Sequence, residues 1–326
     1  MNIIETRDLS KKYNRYLKQE GLSGSIKGLF KRDYIEKIAV NSFDLSVETG
    51  EFIGLIGPNG AGKTSLIKML TGIVAPTSGE IHVLGFYPNK LENDFKRQYA
   101  IVMGQKSQLF FELTTEDTLR LFKELYGISK EVYNRNVEYF IELFGVKELM
   151  KVQVRTLSLG ERMKMELMVA LLHDPKILFL DEPTIGLDAV ASKQIRKFLK
   201  EVNEAKGTTI VLTSHYMEDI KMLCKRSVVI NQGKKIYDGD TEQLFEQYQL
   251  YKRIYVSFER PTEIQLNSNC NVVEETPYKI VIDVPKAEAG KTLEAIMTHY
   301  SSSDIAIEEE EIGNVVERIY QQVDRS

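Results

Sequence analysis

The chain has 326 residues, 43% of them hydrophobic and 28% charged, which is typical of a globular protein with one large domain and a smaller one. Its formal net charge is −4, with 43 Lys and Arg against 47 Asp and Glu, so the charge balance predicts no nucleic-acid partner. Cys224 and Cys270 lie far apart and do not resemble a metal or redox pair, which favours a reduced, intracellular setting. The sequence predicts no signal peptide and no membrane-spanning run, so a role at a membrane would require docking on a protein that spans it.

Near the N-terminus, residues 17–33 form a short basic stretch with apolar residues at helical spacing. The pattern predicts an amphipathic helix that either lies on a membrane surface or partner, or packs on its own domain. Its cations are Lys18, Lys27, Lys31 and Arg32, and its apolar residues are Leu22, Ile26, Leu29 and Phe30.

The stretch "EFIGLIGPNGAGKTSLIKMLTG" predicts a strand over 52–56, a glycine-rich loop and a helix. It fits G-x-x-x-x-G-K-[ST] in the context that this phosphate-binding motif needs. Its glycines let backbone N–H groups point at phosphate oxygens, and the helix presents its positive end to the same anion. Lys63 should reach the β- and γ-phosphates, and the Thr64 hydroxyl should bind Mg²⁺. The nucleotide-binding residues of the loop are Gly57, Pro58, Asn59, Gly60, Ala61, Gly62, Lys63, Thr64 and Ser65.

Farther along, "TTEDTLRLFKELYG", with a Thr cap, and "KEVYNRNVEYFIELFGV" predict two helices. The stretch "LSLGERMK" then places a Ser-x-Gly turn before a charged helix. In "KILFLDEPT", the apolar run 177–180 predicts a buried parallel strand. Asp181 at the end of this strand should bind Mg²⁺, and Glu182 can polarise the water that attacks the γ-phosphate.

From about Lys252 the pattern changes. "RIYVSFE" and "YKIVIDV" alternate like strands, and "KTLEAIMTHY" and "GNVVERIYQQ" have helical spacing. Residues 251–326 are therefore predicted to form a small α+β domain, in which the acidic run of "SSSDIAIEEEEI" is a solvated edge.

In order along the chain, "GPNGAGKT", "VMGQ", "LSLGE", "ILFLDE", "IGLD" and "LTSH" resemble the motifs of ATP-binding cassette (ABC) ATPases, and the resemblance covers roughly residues 1–250. It implies an α/β P-loop NTPase fold with a RecA-like core sheet, an antiparallel β subdomain and a helical subdomain over about 106–156. The residues of "GQKSQLFFEL" and "LSLGERM", the insertion at 17–33 and the C-terminal residues 251–326 together resemble ATPase subunits of ABC-2-type bacterial exporters. The implied ligands are ATP and Mg²⁺.

The resemblance also implies roles for single residues. Gln105 corresponds to the Q-loop glutamine that touches Mg²⁺, His215 to the switch histidine on the γ-phosphate, and Asp188 to the aspartate at the dimer seam. Ser158 and Gly160 match the "LSGGQ" signature, which completes the ATP site of the opposing subunit. Leu159 and Glu161 depart from it, and Glu161 replaces an amide donor.

For the aromatic residue that stacks on adenine, the sequence offers two candidates. "LSKKY" nominates Tyr13, whereas separation from Lys63 (63 − 34 = 29) favours Tyr34, which we prefer slightly on the sequence alone.

The sequence thus predicts an ATP-hydrolysing subunit that dimerises around two ATP molecules, with a second copy or a homologous subunit, and drives transport, in the direction of export. Its other partners would be separate transmembrane permease subunits, which would hold it at the cytoplasmic face of the cell membrane. One alternative is a non-transport ABC protein in translation or repair, but neither a second cassette nor a long coiled coil is visible. Another is a binding module with a dead site, against which Lys63, Asp181, Glu182 and His215 are all present.

Overall fold

The computed structural model describes residues 1–16, 34–104, 106–214, 216–262 and 269–310, with Val315 and Arg318; the side chains at 15, 16 and 34 are not included. The chain divides into two compact units, Met1–Thr241 and Glu242–Ser326. The predicted domain boundary at 250/251 therefore falls one helix later than this division. The predicted helix within 17–33 lies outside the described residues.

The elements of the first unit are as follows in chain order. Its strands are β1 (Asn2–Tyr16), β2 (Tyr34–Glu48), β3 (Phe52–Ile56), β4 (Ser78–Val83), β5 (Tyr99–Met103), β6 (Ile177–Asp181), β7 (Thr209–Thr213), β8 (Arg226–Asn231) and β9 (Lys234–Asp240). Its helices are α1 (Lys63–Leu70), α2 (Asn93–Lys96), α3 (Thr115–Tyr126), α4 (Lys130–Phe144), α5 (Leu159–Leu171), α6 (Ala189–Lys206) and α7 (Met217–Leu223). Short 3₁₀ turns span Pro88–Lys90, Lys147–Leu149 and Val154–Thr156.

Within the described residues, the central sheet has the strand order β5-β6-β7-β3-β8-β9. Neighbouring strands are parallel except β8 and β9. Strands β3 and β7 are buried along their whole length, as expected for parallel strands covered on both faces. Because β3, β5, β6 and β7 run in the same direction, their carboxyl ends meet at one edge of the sheet, where ligands of open α/β sheets bind.

A second, antiparallel sheet has the order β2-β1-β4. β1 and β2 pair from Asn2↔Glu48 to Tyr16↔Tyr34, with Tyr13 opposite Lys37. The stretch between Tyr16 and Tyr34 is therefore an insertion between the paired ends of two strands. The apolar residues on the inner side of these strands join the same core as β3 and α1.

The predicted helices between the core strands are present as α3 and α4. Thr114 caps α3 by accepting the N–H of Asp117 at 3.1 Å, and Ser129 caps α4 by accepting that of Val132 at 3.3 Å. Helix α4 packs on α6 through Phe144, whose ring stacks 4.0 Å from that of Phe198. The α/β organisation predicted for this unit, a parallel core sheet with an antiparallel sheet and helices, is therefore observed.

The second unit is a separate α+β structure. Its elements are α8 (Thr241–Tyr248), which begins at the last residue of the first unit, then β10 (Tyr251–Phe258), β11 (Asn271–Thr276), β12 (Lys279–Pro285), α9 (Ala289–His299) and β13 (Ser302–Glu309). The sheet order is β11-β12-β10-β13, so the acidic β13 lies at an edge within the described residues. In its interior the Arg253 guanidinium donates to both carboxylate oxygens of Asp283, at 2.7 and 2.9 Å.

Across both units, none of the helices in the described ranges combines the length and apolar character needed to cross a membrane.

Candidate nucleotide-binding site

The phosphate loop begins where β3 ends, and its backbone is shaped by glycine. Gly62 has a φ of 116°, and a Cβ atom at this position would lie 2.2 Å from the carbonyl oxygen of Ala39. Both the backbone conformation and the close approach of β2 therefore require glycine. Gly62 precedes α1, so the loop enters the helix with its N–H groups directed to one side.

We expect Gly62→Ala to abolish ATP binding and to lower the free energy of unfolding by at least about 3 kcal/mol, because the new methyl group meets backbone that cannot give way. Gly85→Ala is the matched control. Gly85 also has a positive φ, 79°, but no atom lies within 4 Å of its added Cβ. This control should cost only about 1 kcal/mol and leave ATP binding unchanged. Equal effects in urea unfolding and ATP binding would contradict the steric explanation.

Lys63, the first residue of α1, is folded into the loop. Its ammonium group donates to the carbonyl oxygens of Gly57 at 2.6 Å and Pro58 at 3.2 Å, and the residue is only 5% exposed. Burial lowers the pKa of Lys63 below its ordinary value, while the negative charges of Glu182 and Asp181 oppose this effect. The two carboxylates therefore favour the charged ammonium that a phosphate ligand requires.

Asp181 joins three elements at the carboxyl edge of the sheet. The Thr64 hydroxyl donates to its two carboxylate oxygens at 3.2 and 2.9 Å, and the Thr213 hydroxyl donates to Oδ1 at 2.7 Å. Hydroxyl and carboxylate oxygens are the ligands that Mg²⁺ prefers, with its remaining positions filled by water and substrate phosphate. Thr64 and Asp181 therefore fit this ion. No group of three or more His, Cys, Asp or Glu that could hold a metal by itself occurs in the described ranges.

Glu182, next to Asp181, has an uncommon backbone conformation with a φ of 58°. Its N–H donates to the carbonyl oxygen of Thr213 at 3.0 Å, which fixes the turn after β6. On the other side, a Cβ atom on Gly104 would lie 2.3 Å from the carbonyl oxygen of Glu182, and the Gly104 N–H donates to the Asp181 carbonyl at 2.9 Å. The strained turn is thus held between β7 and the end of β5.

Lys63, Thr64 and Glu182 line one cavity of about 450 Å³. Glu182 and most of the phosphate loop lie in its wall, together with Tyr13, Asn14, Lys37 and Ala39 from the antiparallel sheet. The loop residues in the wall are Asn59, Gly60, Ala61, Gly62, Lys63, Thr64 and Ser65. Gly57 and Pro58 are not among the lining residues, but their carbonyl oxygens accept hydrogen bonds from the ammonium group of Lys63, which is.

The two candidate aromatics for adenine lie at different heights on the β1–β2 pair. Tyr13 lines the cavity, and the Lys11 ammonium lies 5.2 Å from the centroid of its ring. Tyr34 begins β2, where its backbone pairs with Tyr16; its side chain is not among the described ones. Because Tyr13 pairs with Lys37, Tyr34 lies three residues farther along β2, about 10 Å away.

The signature residues form a second surface at the start of α5. Ser158 and Glu161 make a capping box: the Ser158 N–H and hydroxyl both donate to Glu161 Oε2 at 2.8 Å, and the Glu161 N–H donates to Ser158 Oγ at 3.3 Å. Hydrogen bonds from the backbone and hydroxyl of Ser158 hold the pKa of Glu161 below its ordinary value.

Asp188 caps the neighbouring helix α6, where its carboxylate accepts the Ala191 N–H at 2.8 Å. A Cβ atom on Gly160 would lie 2.8 Å from that of Ala191, so the signature turn and the Asp188 turn are packed together. Ser158, Gly160 and Asp188 are not among the described residues that line the phosphate-loop cavity.

Gln105 and His215 lie outside the described residues. Ser214 and Tyr216 flank position 215 and are joined to each other. The Ser214 hydroxyl accepts the Tyr216 N–H at 2.9 Å and donates to Asp219 Oδ2 at 2.9 Å. Sequence reasoning missed Thr213 and Gly104, because their roles depend on the position of β7 and β5 beside β6. A polar residue at the end of a neighbouring parallel strand was the signal for Thr213.

Residues 40–185 match the family described as ABC transporter. The ABC transporter ATP-binding protein NatA of Bacillus subtilis (strain 168) is 35% identical over 208 residues, which span 64% of this chain and 84% of NatA. The chain belongs to the family of ABC transporter ATP-binding proteins.

Two further similarities agree with this membership. Nod factor export ATP-binding protein I of Cupriavidus pinatubonensis (strain JMP 134 / LMG 1197) is 36% identical over 216 residues, 66% of each chain. A solved structure described as the ATP binding subunit of an ABC transporter superposes with a TM-score of 0.63 at 26% identity, covering 76% of this chain and 93% of that one. The predicted resemblance and α/β cassette fold are confirmed. The chain is an ATP-binding, ATP-hydrolysing subunit of a transporter.

Proposed function

We propose that the cavity binds ATP with Mg²⁺ and that hydrolysis there drives export through separate transmembrane subunits. The observation that carries this proposal is the junction of Thr64, Asp181 and Thr213, which lies beside Glu182 and the Lys63 ammonium. Such a junction supplies a phosphate-binding cation, metal ligands and a base within one site, which is what phosphoryl transfer to water requires.

In this proposal Lys63 leaves the carbonyl groups of Gly57 and Pro58 and binds the β- and γ-phosphates. Thr64, Asp181 and Gln105 hold the Mg²⁺ ion, which when bound neutralises phosphate charge. Glu182 accepts a proton from the attacking water, and its fixed backbone turn keeps the carboxylate aimed into the cavity. His215 binds the γ-phosphate from the end of β7.

We assign adenine stacking to Tyr13 rather than to Tyr34, in contrast to the preference drawn from the sequence. The position of Tyr13 in the cavity wall supports this choice. Counting residues back from Lys63 favoured Tyr34 because residues 17–33 add to the sequence separation of Tyr13. They do not add to its distance in space, because Tyr13 on β1 pairs directly with Lys37 on β2.

We expect Tyr13→Ala to weaken ATP binding about tenfold or more, because base stacking on an aromatic ring contributes about 1–3 kcal/mol. Tyr13→Phe, which keeps the ring, should bind as the parent does. Tyr34→Ala should also leave the affinity unchanged. Equilibrium binding of ATP to the three variants decides between the two tyrosines, and a loss confined to Tyr34→Ala would restore the original preference.

The second copy in our proposal places its signature turn against the γ-phosphate of this chain's ATP. The exposure of Leu159, 43%, at the start of α5 supports a surface open to such a partner. Ser158 and the adjacent N–H groups are the anion-binding donors of a helix N-terminus, and the packed Asp188 turn lies beside them. The other partners are permease subunits, which hold the dimer at the cytoplasmic face of the cell membrane.

The direction of transport rests on relatives such as the Nod factor export protein. Cells carrying Glu182→Gln should retain a compound that the parent strain releases, which comparison of small molecules inside and outside the cells would detect. The chain isolated from the parent strain should also carry an integral membrane subunit that stimulates its ATP hydrolysis. Loss of uptake in the variant, or an isolated chain without such a subunit, would contradict the proposal.

A further inference from the structure

Glu166 is a buried carboxylate on the signature helix α5, and the residue is only 4% exposed. It accepts hydrogen bonds from three consecutive residues of another segment. The Ser107 hydroxyl donates to Oε1, the Gln108 N–H lies 2.9 and 3.1 Å from the two carboxylate oxygens, and the Leu109 N–H lies 3.4 Å from Oε1. Burial raises the pKa of Glu166, while these hydrogen bonds lower it.

One turn toward the start of α5, Arg162 reaches the same segment. Its guanidinium lies 5.2 Å from the centre of the Phe111 ring, and it donates to the carbonyl oxygen of Leu157 at 3.3 Å. Residues 162 and 166 share one face of the helix. Two side chains of α5 therefore hold the stretch from Ser107 to Phe111, which we name the 107–111 segment.

These contacts resist separation of the helix from the segment. Moving them apart would leave a buried carboxylate without the donors that satisfy it, and would remove the acceptor of the Gln108 backbone N–H. The 107–111 segment and α5 should therefore shift as one body when either is displaced.

The two parts that Glu166 joins serve different nucleotides in the proposed function, on which this inference rests. The 107–111 segment begins two residues after Gln105, which serves the ATP of its own chain. Helix α5 begins directly after Ser158, which serves the ATP of the partner copy. The contact thus connects the two composite sites of a dimer through a single chain.

We propose that Glu166 is a positioning residue that transmits engagement of the signature turn by the partner's ATP to the 107–111 segment. Its role is coupling and not the binding of nucleotide. Replacing its charge should uncouple the segment from α5 while leaving the phosphate loop intact.

The absence of tryptophan from the chain permits a unique reporter at Phe110, which is 48% exposed. Phe110→Trp is combined with Glu182→Gln to suppress hydrolysis, and tryptophan emission is measured with and without ATP. Adding Ser158→Arg removes the contact with the partner's ATP but leaves ATP binding to the phosphate loop. The part of the ATP response that Ser158→Arg abolishes is the transmitted component.

We expect Glu166→Gln to reduce the transmitted component at least about threefold, as for loss of one coupled contact, while ATP still binds and still drives dimer formation in sedimentation. Ser107→Ala, which removes one of the donors, should reduce it in part. Asn136→Leu is the matched control: Asn136 is buried and donates to the carbonyl oxygen of Leu172, just after the end of α5, at 2.9 Å. Asn136→Leu should lower the stability of the protein and leave the transmitted component unchanged.

The proposal would be overturned by a full transmitted component in both Glu166→Gln and Ser107→Ala, or by an ATP-driven parent dimer that shows no transmitted component. An equal loss in Asn136→Leu would show a general effect of instability and would also overturn it. Failure of the parent to dimerise with ATP is a separate outcome, because it would contradict the proposed function itself and this inference with it.

Discussion

Glu182→Gln is expected to bind ATP with near-parent affinity and to hydrolyse it about 10²- to 10⁴-fold more slowly. Glutamine keeps the shape of the side chain but cannot accept the proton of the attacking water. The backbone of residue 182 is held by Thr213 and by the close approach of Gly104, so the turn itself should be unchanged. Phosphate release at saturating ATP, together with equilibrium ATP binding, measures the two effects separately.

The matched control is Glu218→Gln, at a residue of α7 whose carboxylate pairs with Arg196 at 3.2 Å and is 59% exposed. This variant should hydrolyse ATP within about twofold of the parent rate, since exposed ion pairs contribute little. The slow Glu182→Gln chain should also accumulate as an ATP-bound dimer in sedimentation. Turnover close to the parent rate in Glu182→Gln would show that another group activates the water.

A mixture of Ser158→Arg and Lys63→Ala chains is expected to recover hydrolysis that neither variant shows alone. If each ATP lies between the phosphate loop of one chain and the signature turn of the other, a mixed dimer has one site with both defects and one with none. Random pairing of equal amounts makes half of the dimers mixed, so about one quarter of the parent rate should return if one intact site suffices. The permease subunits should be present to hold the dimer together.

The reciprocal mixture supplies the control. Parent chains mixed with a Ser158→Arg/Lys63→Ala double variant give mixed dimers in which each composite site carries one defect, so these dimers should be inactive. If the signature acted within its own chain, the two mixtures would exchange results. Inactivity of mixed dimers in both experiments would instead show that turnover needs two intact sites.

Ser158→Arg also removes a helix cap, so a control is needed that separates this loss of stability from the loss of the trans contact. Ser129→Arg makes the same substitution at the cap of α4, where Ser129 accepts the Val132 N–H. Each variant should lose about 1 kcal/mol of stability from the missing cap. Only Ser158→Arg should abolish hydrolysis, and equal losses in the two variants would point to a folding effect.

The sequence alone nominates the phosphate loop and the Asp181–Glu182 pair as site residues because local patterns specify them, and the structure brings Thr64 and Asp181 into hydrogen-bond contact. The strand pattern before Gly62, Lys63 and Thr64 and the helix pattern after them identify a phosphate loop without reference to distant residues. Thr213 and Gly104 could not be assigned in the same way, since their roles depend on which strands flank β6. Strand order is decided by packing across the whole sheet and not by neighbouring residues.

The other differences have equally specific causes. Tyr34 was preferred by counting residues along the chain, whereas our proposal of Tyr13 rests on its place in the cavity wall, which depends on the pairing of β1 with β2. Ser158 and Glu161 have the Ser-x-x-Glu spacing of a capping box, which was readable in the sequence, although Glu161 was interpreted only as a lost amide donor. The boundary between the units was placed at 250/251 because the alternating strand pattern begins at about Lys252, whereas the chain divides after Thr241.

The capping box also determines how the signature turn can meet a phosphate. In the single chain, the N–H and hydroxyl of Ser158 are already occupied by one oxygen of the Glu161 carboxylate. A phosphate can reach these donors only by displacing that carboxylate, so in the proposed dimer the docking of the partner's nucleotide is an exchange of one anion for another. The free energy of the contact is therefore a difference between two sets of charge-assisted hydrogen bonds, and Glu161 acts as an internal competitor whose removal tightens the dimer.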